Sequence, residues 1–76
     1  MIYTMYPTSH RVDLAAKAKA LLAEKKQTGA VWGKHNSNVV YFDTDIPRED
    51  IEKYMGDSLS LMSEVINLNH KAPERV

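Results

Sequence analysis

The chain has no cysteine. Disulfides, thiolate metal ligands and cysteine nucleophiles are excluded together. The absence fits a cytoplasmic setting. Glycine is scarce, and Gly29, Gly33 and Gly56 are too scattered to form a phosphate-cradling loop. No G-x-S-x-G elbow is present to raise a serine nucleophile. No run approaches the ~20 apolar residues of a membrane span. The opening MIYTMYPTSH lacks the charged and apolar regions of a signal peptide. Net charge is also missing, because ten Lys/Arg balance ten Asp/Glu.

What is there suits one small folded domain. The chain has 76 residues, 43% hydrophobic and 26% charged, an ordinary soluble composition. A chain this short buries only about 60% of the surface it exposes when unfolded. Without staples it must lean on its apolar core or on a partner subunit. Charge is unevenly placed. Residues 1–42 hold six Lys/Arg and two acids, whereas residues 43–76 hold four and eight. Such asymmetry can mark a polar partner. It can equally make the two parts attract within one fold or across a dimer.

The stretch from Gly29 to Asp45 has the clearest strand signature. Val31 and Trp32 precede a polar His35-Asn36-Ser37-Asn38 segment, and Val39, Val40, Tyr41 and Phe42 follow it. Strand-prone runs flanking an Asn/Ser-rich gap predict a β-hairpin. Residues 1–6 read as a further short strand, ended by Pro7 and placed beside the hairpin, since two strands alone are marginal in water. Thr8 and Ser9 are candidate N-caps for a helix from about His10 to Lys26, with Leu14, Ala18, Leu21 and Leu22 inward. Gly29 is placed to stop it. Pro47, Glu49 and Asp50 start another helix, with Asp45 as a candidate cap. Ile51, Met55, Leu59, Met62 and Ile66 recur at helical spacing. The spacing therefore favours one long helix, Pro47 to Asn69, over a break at Gly56, since glycine costs a helix only ~1 kcal/mol relative to alanine.

The fold expected is α+β: short N-terminal strand, helix, β-hairpin, helix. An antiparallel sheet of two or three strands is packed on one face by the helices. Residues 1–70 form the single domain, and residues 71–76 are expected to be a disordered tail.

No chemistry-bearing constellation stands out. His10, His35 and His70 fall in three separate elements with no zinc-ligand spacing. The acids Asp43, Asp45, Glu49 and Asp50 lack the calcium-loop pattern and are explained by helix capping. No cofactor, metal or catalytic residue is expected, and a buried cleft is hard to build at this size. The chain reads as a non-enzyme.

Two binding readings follow. The apolar surplus of the last predicted helix points to a protein partner, which could be a second copy. Its contact residues would be Tyr54, Met55, Leu61, Met62, Val65 and Leu68. Tyr3, Tyr6, Trp32 and Tyr41 are further aromatics suited to an interface. The alternative is a nucleic-acid-binding regulator, using Lys17, Lys25 and Lys26 of the basic helix with Lys34, His35 and Asn36 of the hairpin tip. Neutral overall charge weighs against it. No membrane partner is expected.

Overall fold

A computed structural model describes residues 1–33 and 38–65. The elements run β1 (Ile2–Pro7), α1 (Leu14–Lys25), β2 (Ala30–Gly33), β3 (Val40–Asp43), α2 (Arg48–Met55), a 3₁₀ turn (Gly56–Ser58) and β4 (Leu59–Glu64). The domain is α+β with an N-terminal strand first. Its sheet has four strands rather than two or three, in the order β2-β3-β1-β4. Every neighbouring pair is antiparallel. This is the split β-α-β connectivity of ferredoxin-like domains. The connectivity serves many unrelated activities and so names none of them.

The predicted hairpin is β2 with β3, in register Val31↔Phe42 and Trp32↔Tyr41. β1 lies beside it, Tyr3 opposite Phe42 and Met5 opposite Val40. Alternation then sorts the sheet. Tyr3, Met5, Val40, Phe42 and Met62 join Leu14, Ala18, Leu21 and Leu22 of α1 and Ile51 and Met55 of α2 in one core. Phe42, Met5 and Ile51 are fully buried there. The opposite face carries Ile2, Thr4, Tyr6, Trp32, Tyr41 and Leu61.

Helix α1 starts later than the sequence suggests. Asp13, not Thr8 or Ser9, is its N-cap, and the carboxylate accepts the Ala16 N–H at 3.0 Å. Thr8 instead donates its hydroxyl to Asp57 O at 3.0 Å, and its N–H goes to Ser58 O, fastening β1 to the turn before β4. The helix ends without glycine. Lys26 adopts the left-handed conformation (φ 54°, ψ 43°), its N–H bonds Ala23 O and the Gln27 N–H bonds Leu22 O. Gly29 serves a close approach, since a Cβ there would meet Asp43 O at 2.6 Å.

The largest correction concerns the C-terminal part. Pro47 caps α2 without a side-chain bond, Asp45 is exposed, and the helix stops at Met55. Gly56 has φ 55° and ψ −130°, which an α-helix cannot continue through. The chain reverses there and residues 59–64 form an edge strand. The helical spacing of Ile51, Met55 and Met62 therefore spans two elements. β1 needs a second neighbour, and pairing it outweighs the weak helical propensity of a serine-rich segment.

Candidate interaction surface

β4 pairs with β1 along Tyr3↔Glu64, Thr4↔Ser63, Met5↔Met62 and Tyr6↔Leu61. The register slips between Tyr6 and Pro7, so Ser60 is an extra residue, a bulge near the start of the strand. Beyond it the ladder is regular. The Val65 N–H donates to Ile2 O at 2.8 Å, so Val65, Ser63 and Leu61 turn their backbone groups toward β1. Met62 and Glu64 turn theirs outward, to the edge of the sheet that no described strand covers.

One outward group is occupied. The Arg48 guanidinium, from the first turn of α2, donates Nη2–H to Met62 O at 2.5 Å. Its Nε–H is held by Glu52 Oε1 at 2.7 Å, one helical turn on. Arg48 thus stands where an incoming strand would place an N–H. A groove of about 270 Å³ follows this edge, lined by Arg48, Glu52, Leu59 and Leu61 among others.

The predicted protein-contact residues divide. Leu61 is 58% exposed and Tyr54 39% exposed. Val65 is half-buried. Met55 and Met62 are both 3% exposed and belong to the core, so neither offers contact surface. They point inward because α2 turns Ile51 and Met55, and β4 turns Met62, into the core between helices and sheet. Leu68 lies outside the described residues. Tyr3 is likewise core, at 4% exposure.

Of the predicted basic residues, Lys17 and Lys25 lie on α1 and Lys26 is its C-cap. Lys25 lies 4.0 Å from Asp50 of α2, joining the basic and acidic parts of the chain. Glu24, Asp50 and Lys53 share the groove between the helices with it. Lys26 is exposed and Lys17 half-buried. Lys34, His35 and Asn36 lie outside the described residues. β1, β2, β3 and β4 contain no Lys or Arg.

On the helix-free face Trp32 and Tyr41 pack with ring centroids 5.3 Å apart, tilted by 31°. Trp32 Nε1 is buried there without an acceptor among the described residues. Among the described residues, no three His, Asp or Glu side chains gather to hold a metal ion, and no helix is long and apolar enough to cross a membrane.

The residues that sequence reasoning missed are Arg48 and Glu64. Arg48 reads there as one more charge at a helix start. Its meaning depends on β4, which the helical spacing conceals. Comparison of the chain with protein-family models, curated proteins and solved structures found no match.

Proposed function

We propose that the protein is a small, non-catalytic interaction domain, an inhibitor or adaptor, that takes an extended segment of a protein partner along the β4 edge. The observation that carries this reading is the edge itself. It offers outward backbone groups at Met62 and Glu64 beside exposed Leu61, and among the described residues one side chain, Arg48, is bonded across it. Edge addition of this kind draws affinity from main-chain hydrogen bonds and specificity from neighbouring side chains. The contact moves from the expected helix to a strand, but Leu61, Val65 and Tyr54 remain its side chains. A cytoplasmic location is supported by the cysteine-free composition.

A nucleic-acid ligand has less support. Four-stranded sheets of this kind can stack bases on exposed aromatics. Here Tyr41 is only 7% exposed, and the strands bring no cation to meet phosphate.

The test uses the full chain as bait in host lysate, with and without nuclease, beside Glu64→Pro. That substitution removes an outward N–H and spares the β1 ladder, a placement proline tolerates on an edge strand. Nuclease-resistant capture, lost in the folded variant, is the expected result. Capture abolished by nuclease, or untouched by Glu64→Pro, overturns the proposal.

A further inference from the structure

We infer that the strand received at this edge is β4 of a second copy, paired antiparallel about a two-fold axis that passes between the two Ser63 residues. The inference rests on the reading of β4 as a docking edge and adds the occupant, the register and the side chain that switches partner.

An antiparallel strand pair maps onto itself under a two-fold axis, so one strand can supply both sides of a closed dimer interface. The outward groups of β4 limit the register. Met62 and Glu64 must fall in hydrogen-bonded pairs, and the bulged Ser60 must stay out of the ladder. Centring on Ser63 satisfies both conditions. Met62 of each copy then exchanges N–H···O bonds with Glu64 of the other. Ser63 faces its own mate on the helix-free face. Leu61 lies directly opposite Val65 of the second copy, and Val65 opposite Leu61. The most exposed large apolar side chain of the described residues thus gains an apolar cross-strand neighbour. Centring on Met62 instead sets Leu61 against serine and Glu64 against the bulge.

Charge favours the same register. Glu64 lies in register with Tyr3, so its side chain stands on the helix-bearing face, where Arg48 is. It is exposed and has no ion pair among the described residues. In the dimer it stands opposite Met62, the residue whose carbonyl Arg48 occupies. When the second strand arrives, the Glu64 N–H takes that carbonyl and the Glu64 carboxylate takes the freed guanidinium. Arg48 therefore closes the edge of the lone domain and clamps the paired one. Two copies together make a continuous eight-stranded sheet with β2 at both ends.

The lack of native cysteine gives a direct test. Ser63→Cys places two thiols in a non-hydrogen-bonded pair, with Cα atoms about 4.5 Å apart, within disulfide reach. Mild oxidation is expected to convert most of this variant to a covalent dimer, while Leu61→Cys, separated from its own mate across the axis, remains monomeric on a denaturing gel. In sedimentation, Arg48→Ala and Glu64→Gln are each expected to raise the dimer dissociation constant about tenfold. The double variant should be little worse than either, because the two side chains act on each other. Equal cross-linking at positions 61 and 63, or fully additive effects of the two changes, overturns the inference. So does a monomer at about 100 μM, a weak-interaction concentration. If Glu64→Pro still abolishes partner capture in that case, the edge takes a different strand and the proposed function stands. If it does not, both readings fall.

Discussion

At one side of the sheet β2 runs for four residues, and at the other β4 runs for six. β2 enters through Gly29, packed against the backbone of Asp43 and the side chain of Leu22, so little of its start can move. β4 enters through Gly56, where a Cβ would meet nothing. The exposed residues of β4 are Ser60, Leu61, Ser63 and Glu64, and Met62 alone is buried. Edges that stay solitary are commonly short, charged with lysine, kinked or covered. β2 is protected by brevity. β4 is kinked only at its start and closed further on by the Arg48 side chain. In the proposed dimer that side chain gives way and the edge is used.

The largest effect expected in testing this contrast is at Met62. Met62→Ala empties a core position held between Met5 and the helices and should cost about 2–5 kcal/mol in urea unfolding. The matching change on the other edge, Val31→Ala, should cost less, because Val31 is only half-buried. Equal losses would mean that the two edges are anchored alike.

The entry glycines should differ in mechanism. Gly29→Ala forces a Cβ to within 2.6 Å of Asp43 O, so backbone must shift, at about 1–3 kcal/mol as for other overpacked sites. Gly56→Ala meets no atom but holds an L-residue at φ 55° and ψ −130°, a sparsely populated region that costs about 1–3 kcal/mol. Amide exchange separates the two cases. Loss of protection should centre on β2 and β3 in the first variant, and on β4 in the second. The smallest effect belongs to Arg48→Ala, about 1 kcal/mol, nearly all from the part-buried bond to Met62 O, since the exposed pair with Glu52 adds little. In low-concentration unfolding it should be nearly silent, and its main consequence is for association. A loss near that of Met62→Ala would make Arg48 a core support instead of an edge closure.

Much of this arrangement is legible in the sequence. Val31 to Phe42 announce the hairpin through β-branched and aromatic residues around a polar turn. Pro47 with Glu49 and Asp50 announces α2. The β1 segment follows from the need for a third strand. What the sequence hides is the state of residues 59–64. Leu59 and Met62 continue the helical spacing of Ile51 and Met55, and alternation within so short a run is ambiguous. Only the vacant flank of β1 decides between the two. The site was hidden with it: Leu61 is visible as an apolar surplus, but Arg48 has a role only once a strand edge lies beneath it. At α1 the miss is smaller. Thr8, Ser9 and Asp13 are all good caps, and the one used is the one whose carboxylate reaches an N–H three residues on.

The pairing of Thr4 with Ser63 has a consequence in time. β1 leaves the ribosome first among these strands and β4 last. When β3 pairs with it, β1 has only one of its two neighbours, and Met5 lacks the cover of Met62. Closure of a ladder between distant residues is slow compared with local hairpin or helix formation. A nascent domain in which β3 has already paired therefore waits, with its central strand open along one flank, for the strand that also forms the proposed docking edge.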